Sequence, residues 1–249
     1  MAVTASPEQQ RLLLDVQALD TKLLQLAHKR ATVEQVKLVQ DLEVALGSLD
    51  MQLVAARTHL ADLSLSQSKA ESDVEQVRNR AKRDQERLDS GAVNAVKELE
   101  SLQHEIVSLS RRQAELEDVE LEVMQQVEES QQVLERLTNE RTEIETQLGT
   151  VRAELTAIMA DLDGQKSALD SDRAGLAADV PADLLAFYDK VRADSGGVGA
   201  AMLHRGACQG CRIAVDATEL QRIRNIDPQV VVRCEECRRI LVRTAESGL

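Results

Sequence analysis

Between Val39 and Leu88 the residues alternately three and four apart are Val39, Leu42, Leu46, Leu49, Leu53, Ala56, Leu60, Leu63, Gln67, Ala70, Val74, Val77, Ala81, Asp84 and Leu88. That spacing is a heptad seam, an apolar stripe on a helix that a second helix must cover. Only Gln67 and Asp84 interrupt it, and isolated polar seam positions set register at some cost in stability. A second seam runs from Leu99 to Leu169, polar only at Gln113, Glu120, Ser130, Arg141 and Gln165. A shorter one, Leu12, Val16, Leu19, Leu23, Leu26, Arg30 and Val33, is out of phase with the Val39 seam, so the coil is expected to change its winding between Val33 and Val39.

Helix boundaries can be read beside these seams. Ser6, Pro7 and Gln9 form a capping-box start with proline at the first helical position. The stretch 88–94 breaks the pattern, with Gly91 suited to a left-handed helix end and Asn94 to capping the next helix. Two seams of similar length joined by a short turn cover each other by folding back. The pattern therefore predicts one helix over about 7–89, a tip over about 90–95 and a second helix over about 96–175, an arm of roughly 120 Å. Pairing in trans, as an extended dimer, is the alternative.

After Gly175 the heptad fades. Pro181 opens a short helix with Leu184, Tyr188 and Val191 on one face, and a glycine-rich turn follows at 194–199. Strand-like pieces at 200–203, 212–215, 230–233 and 240–243 surround two cysteine pairs, and Asp216 with Glu219 marks a capping box. The expected fold is mainly α: a long antiparallel coiled-coil helical hairpin over 1–178, followed over 179–249 by a short helix and a small C-terminal β zinc ribbon.

Composition supports this reading. A chain of 249 residues with one Phe, one Tyr and no Trp lacks the bulk for an ordinary globular core, yet 43% of it is hydrophobic and 29% charged, as long helices require. No signal-peptide pattern and no apolar run of membrane-spanning length appear, so a cytoplasmic, soluble protein without a membrane partner is expected. Residues 1–180 hold 20 Lys and Arg against 34 Asp and Glu, whereas residues 181–249 hold 10 against 9. A phosphate backbone would be repelled by the shaft and tolerated only by the tail. Acid-rich stretches such as 115–122 read as solvated helix surface.

All four cysteines, Cys208, Cys211, Cys234 and Cys237, lie in two Cys-x-x-Cys pairs 22 residues apart. A tight Cys-x-x-Cys turn points two sulfurs the same way, and two such knuckles close a tetrahedral four-thiolate shell around one Zn2+. A shell with no open position makes the ion structural, supplying folding energy that a segment poor in aromatics lacks. A redox dithiol would need a βαβ context, structural disulfides conflict with a reducing compartment, and iron shares the ligand type. His204 is a fifth potential ligand that a closed shell does not need.

Around the cysteines stand Arg205, Arg212, Arg222, Arg224, Arg233, Arg238, Arg239 and Arg243, against five acids over the same stretch. Such an excess suits phosphate contacts, although a zinc ion held by four thiolates is formally anionic and needs balancing charge itself. Aromatic platforms for base stacking are missing, which favours recognition of backbone or shape.

Several motifs carry a family resemblance: the opening Val16-Gln17-Ala-Leu-Asp20 within 13–26; Asn94-Ala-Val-Lys97-Glu98-Leu99 at the tip; Leu185-x-x-Tyr188-x-x-Val-Arg192; and Cys208-x-Gly210-Cys211 with Cys234-x-x-Cys237-x-Arg239-Ile240-Leu241. With these the chain resembles the bacterial C4-type zinc-ribbon proteins once grouped as a domain of unknown function. The resemblance implies a hairpin plus ribbon and no catalytic activity, with some members linked to RNA binding or to partners in transcription. It departs at Glu235 and Arg238, where many relatives carry proline and glycine.

Two functions follow as expectations. The first is a non-enzymatic adaptor that meets RNA, DNA or a transcription-related protein through the ribbon, as a monomer or weak homodimer. The second is a protein–protein scaffold docking through the tip at Asn94, Lys97 and Glu98. Fingers that enter RNA polymerase present paired acids, whereas this tip has only Asp89 before its turn and Glu98 after it. No nucleophile elbow, phosphate loop or open metal site suggests an enzyme.

Overall fold

A computed structural model describes residues 3–249. The helices are α1 (Pro7–Ala31), α2 (Glu34–Asp89), α3 (Val96–Ala178), α4 (Ala182–Asp194) and α5 (Ala217–Asn225). The strands are β1 (Ala200–His204), β2 (Ala207–Cys208), β3 (Val232–Arg233) and β4 (Ile240–Val242). Packing divides the chain into two compact units, Lys37–Arg152 and the combination of Met1–Val36 with Ala153–Leu249. This division differs from the expected one: the base of the hairpin packs as one body with the ribbon.

The unit Lys37–Arg152 is the coiled coil proper. Every seam position from Val39 to Leu88 is buried or half-buried, and Leu49, Leu53 and Leu137 form a buried cluster within it. Across the two helices the ion pairs run in reverse order, as antiparallel pairing demands: Arg87 with Glu98 at 2.7 Å, Arg80 with Glu105, Arg78 with Glu117 at 3.0 Å, and Asp50 with Arg141 at 2.6 Å. All are exposed enough for water and salt to weaken them, so they mark register more than they hold the fold. Gly91 closes the end of α2 with φ 67°, a left-handed conformation that glycine adopts without a steric penalty. Ala95, not Asn94, supplies the carbonyl that starts α3, accepting from the Leu99 amide at 3.1 Å, and Asn94 makes no side-chain capping bond among the described residues.

The second unit departs from the heptad reading in two ways. The helix expected over 7–89 is interrupted at Thr32 and Val33, where Thr32 ends α1 by donating its amide to the His28 carbonyl at 3.1 Å. The phase slip between seams is thus absorbed by a break rather than by a change of winding. The buried face of α1 is also rotated: Leu13, Val16, Gln17 and Asp20 are enclosed, while Leu12, Leu19 and Leu23 are half-exposed. The reason is that α1 packs against β1 and β4 as well.

Strand order in the sheet is β2-β1-β4-β3, with β1 and β4 parallel. Successive strand residues face opposite ways. Ile240 and Val242 enter a core with Leu13, Val16, Leu184 and Tyr188, and Leu241 enters a second core with Leu203, Ile223 and the cysteines. Of the expected strands, 212–215 contributes only an Ala207–Ala214 bridge. The N-terminal segment adds an unexpected edge: Ala5 donates to the Gln229 carbonyl at 2.8 Å and Val231 to that of Val3 at 3.1 Å. No helix among the described residues is long and apolar enough to cross a membrane.

Candidate metal centre and ribbon surface

The two knuckles are near copies. In the first, the Arg212 amide donates to the Cys208 carbonyl at 2.7 Å; in the second, Arg238 does the same to Cys234 at 2.9 Å. These turns bring all four sulfurs within 4.8 Å of one another, with Cys208–Cys237 at 3.8 Å and Cys211–Cys234 at 3.9 Å. A tetrahedral zinc with bonds of about 2.3 Å requires sulfur separations of about 3.8 Å. The donor set therefore fits one structural zinc, and His204 lies outside it.

Electrostatics point the same way. Burial pushes the Cys208 thiol up to about 12, although amides of Cys211 and Gly210 donate towards its sulfur. Burial also raises Cys234, whereas at Cys237 its upward push is outweighed by the Arg239 amide and the surrounding thiols. At Cys208 and Cys234 a free thiolate is disfavoured, and a dication removes the conflict. Gly210 is required for close approach: a Cβ there would lie 2.9 Å from that of Ala201 and 3.0 Å from the Arg239 side chain.

The eight arginines divide into two groups. Four have partners within the ribbon. Arg239 donates to the carbonyls of Ser195, Val198 and Gly210, each at 3.1 Å, and Arg243 to those of Val230 and Pro228 at 2.7 and 2.8 Å. Arg222 grips Glu219 with two bonds of 2.5 Å, and Arg233 bonds the Arg238 carbonyl while lying 5.8 Å from the Phe187 ring centre. These four guanidinium groups bond carbonyls or a neighbouring acid within the ribbon, which leaves the other four as the more available of the eight. Arg205, Arg212, Arg224 and Arg238 are exposed and have no side-chain partner among the described residues.

Three of these free arginines share a backbone property. Arg205, Arg212 and Arg238 have φ of 47°, 61° and 62°, and they are the only non-glycine residues with positive φ among those described. Arg212 and Arg238 end the two knuckles, and Arg205 opens the two-residue β1–β2 turn, all places where glycine or asparagine avoids strain. Arg11, missed in the sequence because it belongs to α1, lines an open cleft of about 410 Å³ with Arg224 and Arg243.

Behind the sheet lies a buried polar cluster with no counterpart in the heptad pattern. Asp20, fully enclosed, accepts from Arg173 at 2.6 Å, Arg192 at 2.9 Å and the Tyr188 hydroxyl at 2.7 Å. Gln17 accepts from the Gly199 amide at 2.6 Å. Burial, reinforced by Asp20, raises the Tyr188 phenol far above its usual range and keeps it a donor. The motifs around Asp20 and Tyr188-x-x-Val-Arg192 are thus one device that fastens α1, α3 and α4.

Fold and site together define an antiparallel coiled-coil hairpin joined to a zinc ribbon. The CT398-like coiled coil hairpin domain matches residues 16–196 and the C4-type zinc ribbon domain residues 207–241, and the chain belongs to this family. A protein of Mycobacterium tuberculosis strain H37Rv is 35% identical over 239 residues, covering 96% of this chain and 97% of its own length. A solved structure from Mycobacterium smegmatis, at 33% identity, superposes with a TM-score of 0.81 and covers 97% of this chain and 100% of its own. CT398 from Chlamydia trachomatis shares the fold at 17% identity, with a TM-score of 0.66 over 95% of this chain and 98% of its own.

Proposed function

We propose that the protein is a non-enzymatic adaptor whose zinc ribbon binds the phosphate backbone of a nucleic acid. The observation that carries this reading is the set of three exposed, unpaired arginines held at positive φ. Left-handed backbone at a non-glycine residue costs on the order of 1 kcal/mol, and strain of this kind is commonly kept where a side chain has a task. Arg205, Arg212 and Arg238 supply charge with planar donor groups suited to phosphate, and Arg224 with Arg11 extends the basic surface. The acidic helices repel the same backbone, which confines it to the ribbon. Fluorescence anisotropy of labelled RNA and DNA oligonucleotides with the zinc-loaded chain tests this. Binding that weakens steeply as salt rises is expected, and its absence even at low salt overturns the reading.

A second reading, docking of a protein on the tip, is favoured by Val96, which is 70% exposed beside the unpaired Asn94 and Lys97. Glu98 is less available because Arg87 holds it. Partner capture by the full chain that survives alanine at Asn94, Val96 and Lys97 excludes tip docking.

A further inference from the structure

We infer that two copies of this chain associate through the outer face of α2, packed antiparallel about a two-fold axis near position 56. With the covered seam counted as a and d, the outermost positions of a hairpin helix are b and f, which are normally charged or polar. Over residues 44–68 of α2 every b and f position is uncharged, and the large ones are open to solvent: Val44 at 74%, Met51 at 70%, Val54 at 62% and Leu65 at 72%. The stripe stops at Lys37 on one side and Glu75 on the other. The corresponding face of α3 has no such stripe near the tip, since Arg111 and Asp118 interrupt it.

The stripe is complementary to its own reverse. Laid antiparallel on itself, Gly47 meets Leu65, Met51 meets Ala61, Val44 meets Ser68 and Val54 meets Thr58, so each large side chain faces a smaller or comparable one. A partner of unrelated sequence would not require that pairing. Gly47 lies inside a long helix, and a Cβ there would meet nothing within 4 Å in its own chain, as also holds for Gly149, Gly164 and Gly175 in α3. Laid against the second copy, it leaves room for the facing Leu65.

Size sets the strength expected. A strip about 36 Å long and about 12 Å wide on each copy buries about 900 Å² in total. This is below the standard range for stable complexes, so the dimer is reversible and dependent on concentration.

Sedimentation equilibrium of the full zinc-loaded chain, over about 1 μM to about 1 mM, reads the association directly. A monomer–dimer equilibrium is expected. Met51→Glu with Leu65→Glu weakens it at least tenfold, as roughly 1.4 kcal/mol or more would. Gly47→Leu weakens it to a similar degree without lowering the melting temperature, which separates loss of the interface from loss of the fold. Val107→Glu, on the exposed face of α3, leaves association unchanged. A spin label on a non-cysteine residue replacing Val44 should report copies about 36 Å apart, against about 10 Å for parallel packing. A monomer at every concentration, association indifferent to Gly47→Leu and to the glutamates, or the short label distance overturns the inference.

Discussion

Arg212 and Arg238 place a long cationic side chain where the backbone favours glycine. Substituting both by glycine should relieve strain while removing the charge. Thermal unfolding of the zinc-loaded variant should show stability equal to or above that of the parent, by up to about 1 kcal/mol per site, since the greater freedom of glycine in the unfolded chain offsets part of the gain. A marked loss of stability would show that these arginines hold the ribbon rather than serve a ligand. Asp20 is the opposite case, a polar residue the fold depends on. Asp20→Asn removes the buried one of the two carboxylates that Arg173 and Arg192 share, leaving them only the half-exposed Asp189, and denaturant titration should show a loss of about 3 kcal/mol. The cysteine shell was legible because its spacing follows from the bonding geometry of one ion. Asp20 and Gln17 were visible only as letters in a motif: a heptad reading assigns buried positions to apolar residues, and their partners lie more than 150 positions away in the chain.

Among elements, α2 and α3 were the most legible. Their seams repeat a local rule over dozens of residues, and of the seam positions in α3 only Gln165 is exposed. Tertiary packing governed what was missed. The break at Thr32 and Val33 appeared in the sequence as a phase slip, and the rotated face of α1 arises because the sheet covers it from another side. The β strands are short, two to five residues each, too brief for a two-residue period to be separated from noise. The knuckles beside them converge on the four sulfurs that would hold the metal. Chelating the zinc should therefore abolish amide protection in β2, β3 and α5 while leaving α2 and α3 within Lys37–Arg152 protected. Hydrogen exchange with mass spectrometry reads this segment by segment, and retained protection in the knuckles would show that the ribbon folds without its ion.

For the whole molecule, the division of charge is the feature that links architecture to function. On the proposed function, an acidic coiled coil and a ribbon with free arginines direct a polyanion to the ribbon. The family membership agrees with the hairpin and the zinc, and a role in binding phosphate depends on which arginines remain free once the structural ones are set apart. The decisive measurement is the salt dependence of RNA binding by the zinc-loaded chain, with Arg205, Arg212 and Arg238 replaced together by alanine. Weaker binding is expected, with a slope of log K against log salt that is shallower by about 0.7 to 0.9 for each phosphate no longer neutralised, while alanine at Arg222 leaves the slope unchanged. An unchanged slope in the triple variant would contradict the assignment of these arginines to a phosphate backbone.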